Sequence, residues 1–152
     1  MFSRILIPTD GSPASAATVL AGIEFARRFG AEVFGIFVAP DFQYPLYIQA
    51  MPPAYLSDEE YRSSMRTVGE TYINEIRKAA AQAGVNFSGE VVFSDAVAMA
   101  IIQAAQKHRC DLIFIGSHGR SGWHQALLGS VTLKLLSACP LPVLVYRSRR
   151  PH

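Results

Sequence analysis

The sequence lacks an excess of either charge, and it lacks a long hydrophobic run. Its 14 Lys+Arg residues against 12 Asp+Glu residues give a formal net charge of +2, which is too small to indicate a nucleic-acid surface. No segment approaches the roughly 20 apolar residues that cross a bilayer. The apolar N-terminal stretch ends at Pro8, before it could form a signal-peptide core. We therefore expect a soluble cytoplasmic protein that contacts neither nucleic acid nor membrane.

Cysteine is also scarce. The chain has 2 cysteines, Cys110 and Cys139, with no CxxC pair and no Cys/His cluster, which argues against a zinc site. Nothing beside either residue suggests a thiol with a lowered pKa. We expect both to be small buried or half-buried residues in a reducing compartment.

Three familiar motifs are missing. There is no GxxxxGK[ST], no GxGxxG after the first apolar run, and no GxSxG, because Ser117 directly follows Gly116. These absences argue against a P-loop, a dinucleotide site and a hydrolase nucleophile elbow, respectively.

What the sequence does contain is enough apolar material for one core. Hydrophobic residues make up 50% and charged residues 17% of the 152 residues, so the chain is globular rather than disordered and suits a single domain. We assign this domain to residues 1–147 and regard 148–152 as a basic tail. The tail is expected to be a solvated end, with contact to an anionic partner as the alternative.

Apolar runs alternate with helical patterns along the chain. Buried strands are predicted at 2–8, 32–39, 86–94, 110–116 and 141–147. Helices are predicted at 13–29, 57–83, 95–108 and 130–138. Ser12 before Pro13 predicts the start of the first helix, and Gly30 its end. Ser57 and Glu60 form a capping-box pattern at the start of the second. The alternation predicts an α/β fold, with a mostly parallel sheet covered by helices on both faces.

Glycine and serine are concentrated at 114–136, after a predicted strand. In parallel sheets, ligands bind beyond the carboxyl ends of the strands, where the strand order reverses. "PTDGS", "VAPDF" and "GSHGRSG" should meet at that edge. Ser130, Val131 and Thr132 would offer N–H groups and hydroxyls at a helix N-terminus, which suits phosphate oxygens, and Arg120 would add a cation. Gly116 alone is better explained by a chain turn, but the full spaced set favours nucleotide binding.

The glycine spacing resembles a known signature. Gly116, Gly119 and Gly129 followed by Ser130 fit the pattern G-x2-G-x9-G-[ST]. The segments "GSHGRSG" and "LLGSV" are similar to the nucleotide-binding signature of the universal stress protein family. The similarity extends over essentially the whole chain, including "ILIPTDGS" near the start and "PVLVYR" near the end. The chain thus resembles the ATP-binding branch of that family.

The resemblance implies a fold, a cofactor and a site. The fold is a five-stranded open parallel sheet in the order 3-2-1-4-5, like that of the adenine nucleotide alpha hydrolases. The cofactor is ATP, with Mg²⁺ possible through the phosphates because no carboxylate cluster is present; AMP and cyclic AMP stay open. The implied nucleotide-binding residues are Pro8, Thr9, Asp10, Val38, Gly116, Ser117, His118, Gly119, Arg120, Gly129, Ser130, Val131 and Thr132. In this set Asp10 contacts the ribose, Val38 offers its backbone to adenine, and Gly116 packs against the ribose. The later residues surround the phosphates.

One segment departs from the family pattern. Members often carry a Gly-x-Pro turn before the third helix, whereas this chain has "SDAVAMA". Asp95 can still cap that helix.

Two polar residues have more than one interpretation. Asp10 could serve only an Asx turn in "TDGS" rather than a ribose contact. His118 could act as an acid or base, but the sequence shows no second partner for it, so we expect contact with phosphate or solvent. His108 and His124 are expected at the surface.

A long connection follows the second strand at 40–56 and is rich in aromatic residues. We expect either a flap packed on its own domain or a dimer neighbour, or else a lid near adenine.

The favoured function is ATP binding in stress response or signalling, with occupancy biasing conformation or partners. The alternative is a slow ATP hydrolase or phosphotransferase at the same site. A dedicated enzyme is less expected, because no base that could align a water is evident. The intact glycine signature argues against a nucleotide-free interaction module. A homodimer through Val143, Leu144 and Val145 of the last strand is expected, with a merely covered edge as the alternative.

Overall fold

The computed structural model describes residues 1–43, 57–119 and 127–148, in which strands and helices alternate as predicted. The strands are β1 (Arg4–Thr9), β2 (Glu32–Ala39), β3 (Phe87–Phe93), β4 (Leu112–Gly116) and β5 (Val143–Tyr146). The helices are α1 (Pro13–Phe29), α2 (Asp58–Gln82), α3 (Val97–Lys107) and α4 (Ser130–Ala138). Among the helices of these three ranges, none has both the length and the apolar character needed to cross a membrane.

The strands form one parallel sheet in the order β3-β2-β1-β4-β5, which confirms the predicted fold. β1 is central: Ile5 pairs with Val33 of β2 on one side and with Leu112 of β4 on the other. The chain moves from β1 outward to β2 and β3, and then crosses back to β4 and β5. The strand order therefore reverses between β1 and β4, where a ligand is expected beyond the strand ends.

Helices cover both faces of the sheet, as the continuous apolar strands predict. Successive side chains of a strand point to opposite faces. Ile5 packs in the core that includes Ile23 of α1 and residues of α2. Its neighbour Leu6 packs in the opposite core, with Ile101 of α3 and Leu135 of α4. Because both cores are built from apolar side chains, polar chemistry is left to the ends of the strands.

The predicted caps of α1 and the predicted start of α2 are confirmed. Ser12 accepts a hydrogen bond from Ser15 N at 3.2 Å, and Gly30 closes α1 in the left-handed conformation with φ of 67°. At α2, Ser57 Oγ accepts from Glu60 N and Glu60 Oε2 accepts from Ser57 N, both at 3.1 Å. Local cap chemistry therefore fixes where the first two helices begin.

The start of α3 differs from the expectation. Asp95 does not cap this helix: the N-cap residue is Ala96, without a side-chain cap. The Asp95 carboxylate instead accepts from Asp41 N at 3.0 Å, and Ser94 Oγ accepts from Ala96 N at 3.0 Å. The carboxylate thus ties the segment after β2 to the segment after β3.

Both cysteines are free thiols, Cys110 buried and Cys139 half-buried, as expected. Burial raises the pKa of the Cys110 thiol to about 11. This thiol is therefore neutral near neutral pH, which argues against a reactive role.

Candidate functional site

A cleft of about 320 Å³ opens at the carboxyl edge of the sheet, at the strand-order reversal. Most of the nucleotide-binding residues that the family resemblance implies line this cleft. They are Pro8, Thr9, Asp10, Val38, Gly116, His118, Gly119, Gly129, Ser130, Val131 and Thr132. The fold therefore brings together loops that follow β1, β2 and β4 with the start of α4.

Two residues of the expected set are not among the residues that line the cleft. Ser117 does not line the cleft: it is 5% exposed, and its N–H donates to Tyr146 O at 2.8 Å. It lies behind the cleft wall, and its expected contact with phosphate stays a prediction. Arg120 lies outside the described residues. Residues 44–56 of the long connection also lie outside them, so the hypothesis that this connection forms a lid stays a prediction.

Other lining residues were not expected from the sequence. They are Ser15, Thr18, Ile36, Val97, Ile101 and Ile115. The apolar members look like ordinary core residues of β2, α3 and β4, and the hydroxyl residues look like ordinary helix residues of α1. The sequence "DGSPAS" could have indicated that Ser15 lines the cleft. Its spacing places this residue one turn inside the helix, beneath the β1–α1 loop.

The N-terminus of α4 is open towards the cleft. Gly129 is its N-cap residue and supplies no side-chain cap. Within the described ranges, no residue accepts a hydrogen bond from the N–H groups of Ser130, Val131 or Thr132. The first-turn N–H groups of a helix project beyond its end and carry its positive dipole. This end of α4 therefore suits an anion.

Gly129 is not required by the fold. Its φ is −60°, and the nearest described atoms to an added Cβ would be Ser117 O at 3.5 Å, His118 Cα at 3.7 Å and Gly119 N at 3.9 Å, which are ordinary contacts. A Cβ at Gly116, in contrast, would lie 2.7 Å from Thr18 Oγ1. Gly116 thus has a packing reason within the protein. At Gly129, the missing side chain instead leaves room beside the α4 amides.

Hydrogen bonds hold the loop between β1 and α1. Asp10 Oδ1 accepts from Ser12 N at 2.9 Å, so Asp10 forms an Asx turn. Thr9 Oγ1 accepts from Gly11 N at 3.2 Å and from Ser15 Oγ at 2.9 Å. The same Asp10 carboxylate also lines the cleft, so the turn places a negative charge there.

His118 has partners that the sequence did not reveal. Its Nδ1 lies 3.0 Å from Ser117 Oγ, and its Nε2 contacts the carbonyl oxygen of Leu127. A carbonyl only accepts, so in the neutral ring Nε2 carries the proton and Nδ1 accepts from the serine hydroxyl. Both nitrogens are thereby engaged by protein groups, which argues against His118 as a general base.

One wall of the cleft is apolar. β1 pairs with β2 only as far as Thr9 and Phe37, so β2 continues past β1 and Val38 lies at the cleft. Val97 and Ile101 of α3 complete this wall. The site thus has an apolar side at β2 and α3, and a polar side at the start of α4.

Metal ligation by the protein is not evident in the site. Across 1–43, 57–119 and 127–148, there is no group of three or more His, Cys, Asp or Glu side chains that could hold a metal ion. A cation that accompanied a nucleotide would therefore rely on phosphate oxygens and water for most of its ligands.

Solved structures share this fold. A universal stress protein from Burkholderia pseudomallei superposes with a TM-score of 0.77 at 23% identity, covering 96% of each chain. A universal stress protein in complex with cAMP gives a TM-score of 0.68 at 21% identity, covering 97% of this chain and 99% of that one. The Archaeoglobus fulgidus universal stress protein in complex with dAMP gives 0.64 at 16% identity, covering 94% and 96%.

Sequence relatives agree with the structural neighbours. A universal stress protein of Methanocaldococcus jannaschii is 30% identical over 151 residues, covering 97% of this chain and 83% of the relative. The model of the universal stress protein family matches residues 1–147. The chain therefore belongs to the universal stress protein family.

Proposed function

We propose that the protein binds an adenine nucleotide, ATP, in this cleft, and that occupancy biases its conformation or partners in stress response or signalling. The observation that carries the proposal is the open N-terminus of α4. Ser130, Val131 and Thr132 present N–H groups without acceptors in the described chain, beside Gly129, which the fold does not require. This is the chemistry that phosphate oxygens need.

The phosphates bind mainly through backbone. Thr132 is 3% exposed, and its Oγ1 donates to Gly116 O at 2.9 Å, so it offers its amide rather than its hydroxyl. Ser130 is exposed and offers both groups. A Mg²⁺ ion that accompanied the nucleotide would be held mainly by phosphate oxygens and water, because the described residues offer no cluster of ligating side chains.

The nucleoside occupies the other side of the cleft. Val97 and Ile101 give an apolar surface suited to a purine ring. The backbone of Val38 can form hydrogen bonds with the polar edge of that ring. Asp10 lies where a ribose hydroxyl can donate to its carboxylate. The cAMP and dAMP complexes of the structural neighbours support adenine as the base.

Binding is favoured over turnover. Asp10 accepts a backbone N–H and His118 is engaged at both ring nitrogens. Among the described cleft residues, these are the titratable side chains. Neither is placed as an uncommitted base for water, so hydrolysis is slow or absent.

Titration calorimetry with ATP, ADP, AMP and cyclic AMP tests the proposal. ATP should bind, and Gly129→Val should abolish binding because a branched side chain fills the space beside the α4 amides. Ala138→Val, an exposed substitution at the other end of the same helix, is the matched control and should bind normally. Thermal melting should show both variants folded.

Small molecules released from the denatured protein identify the natural occupant. Intact ATP supports binding, whereas recovered ADP supports slow turnover. The proposal fails if none of the four nucleotides produces heat, or if folded Gly129→Val binds ATP as tightly as the natural chain does.

We also propose a homodimer through β5. Val143, Leu144 and Val145 are half-buried, and β5 is an outer strand that pairs with β4 in the described sheet. An outer strand with apolar side chains suits pairing with a second copy. A cytoplasmic location and the absence of a nucleic-acid or membrane partner stay predictions from the sequence.

A further inference from the structure

Two hydroxyl groups beneath the β1–α1 loop form a pair at the cleft. Ser15 of α1 is 9% exposed, and its Oγ lies 2.9 Å from Thr9 Oγ1. Each oxygen also accepts one backbone N–H: Ser15 Oγ from Asp10 N, and Thr9 Oγ1 from Gly11 N, both at 3.2 Å. Both residues line the cleft.

The number of hydrogens in this pair has a consequence. A hydroxyl donates one hydrogen and accepts two. When Ser15 donates to Thr9, the two acceptor positions of Thr9 Oγ1 are filled, by Ser15 and by Gly11 N–H, so the hydrogen of Thr9 is left to donate. When the bond runs the other way, the hydrogen of Ser15 is left instead. In both directions, one O–H donor remains that no described residue accepts.

The neighbouring Asp10 determines what this donor can meet. Its carboxylate is an acceptor at the same cleft. A phosphate would be repelled by this charge, whereas a sugar hydroxyl both donates and accepts. A sugar hydroxyl can therefore donate to the Asp10 carboxylate while it accepts from the Thr9–Ser15 hydroxyl pair.

We propose that Ser15 is a positioning residue that holds the Thr9 hydroxyl so that it donates to a sugar hydroxyl of a nucleotide bound beside Asp10. The inference rests on the proposed nucleotide binding and adds to it a residue from α1, outside the glycine signature. Ser15 acts from a rigid helix and fixes both the Thr9 side chain and the Asp10 amide. The loop is thereby ordered before the sugar arrives.

The test combines removal of the protein hydroxyl with removal of the ligand hydroxyl. Dissociation constants are measured for ATP, 2′-deoxyATP and 3′-deoxyATP with the natural chain and with Ser15→Ala. In the natural chain, at least one deoxy analogue should bind about tenfold more weakly than ATP, and in Ser15→Ala this ratio should fall to about two. A merely structural role would weaken ATP and its analogues equally and leave the ratio unchanged.

Two further variants complete the experiment. Thr9→Val removes the partner hydroxyl with little change of shape and should reduce the same ratio, so the inference stays testable if Ser15→Ala does not fold. Ser137→Ala removes an exposed hydroxyl that bonds only Lys134 O in the described chain, and should leave every constant unchanged.

The possible failures are distinct. If the natural chain binds ATP but both deoxy analogues bind equally well, or if the ratio survives in Ser15→Ala and Thr9→Val, this inference is wrong and nucleotide binding stands. If the natural chain binds none of the three nucleotides, the proposed function fails as well.

Discussion

Asp10 Oδ2 occupies the space where a side chain at position 119 would begin: a Cβ on Gly119 would lie 2.6 Å from this oxygen. The acidic residue that follows β1 therefore leaves no room for a side chain at position 119, which follows β4. Two segments of the candidate site, more than a hundred residues apart in sequence, depend on one another through this contact.

Gly119→Ala should move the Asp10 carboxylate and weaken ATP binding by about tenfold, or about 1.4 kcal/mol. The control for stability alone is Gly129→Ala, where the added methyl makes ordinary contacts of 3.5 Å or more with described residues. Its melting temperature should equal that of the natural chain, whereas that of Gly119→Ala should be lower. Calorimetry and thermal melting measure the two effects. An unchanged melting temperature and unchanged ATP affinity in Gly119→Ala would contradict the contact.

Gly11 and Gly30 form a matched pair for measuring packing at the β1–α1 loop. Both have positive φ, 76° and 67°. A Cβ at Gly11 would lie 2.1 Å from the Tyr72 ring, whereas one at Gly30 would meet nothing within 4 Å. Gly30→Ala should cost about 1 kcal/mol of unfolding free energy from backbone strain alone. Gly11→Ala should cost about 3 kcal/mol, since overpacking adds to the strain. Urea denaturation measures both, and equal costs would show that Tyr72 moves aside freely.

Cys110 should make stability depend on pH in the alkaline range. Burial raises its pKa from 9.0 to about 11, so the folded chain holds the thiol proton more tightly than the unfolded chain does. Its contribution is fully present below pH 9 and is lost as pH rises towards 11. Denaturation midpoints between pH 8 and 11 should fall more steeply for the natural chain than for Cys110→Ala. Parallel curves would contradict the assignment.

The β5 pairing predicts a change of oligomeric state. Val145→Lys places a charge on the outer strand, with a flexible stem that can reach solvent. Sedimentation equilibrium should give a dimer for the natural chain and a monomer for this variant. Met99→Lys, on the exposed surface of α3 where Met99 is 48% accessible, is the control and should stay dimeric. A monomeric natural chain would reject the dimer.

The sequence predicts the fold because its signals are local. The apolar runs and the caps at Ser12, Gly30 and Ser57 each depend on a few neighbouring residues, and all were found in place. Asp95 is not the cap, because Ala96 occupies the N-cap position, and its carboxylate accepts from a distant amide, Asp41 N. No local pattern contains that partner.

The site was only partly predictable for the same reason. The glycine spacing located the loops and the start of α4, but Val97 and Ile101 reach the cleft from a helix whose residues resemble any core helix. His118 Nε2 contacts the carbonyl oxygen of Leu127, which lies nine residues later in the glycine segment. Such contacts are set by how the elements pack, and composition does not encode them.

The central place of β1 has a consequence for synthesis on the ribosome. β1 emerges first, yet its second neighbour, β4, begins only at Leu112. Until then, a nascent β1-β2-β3 sheet would keep one edge of β1 without a partner, although Ile5, Leu6 and Ile7 of this strand are fully buried in the complete fold. Chaperone protection during translation should therefore matter most over this interval, when unpaired β1 can join a strand of another chain.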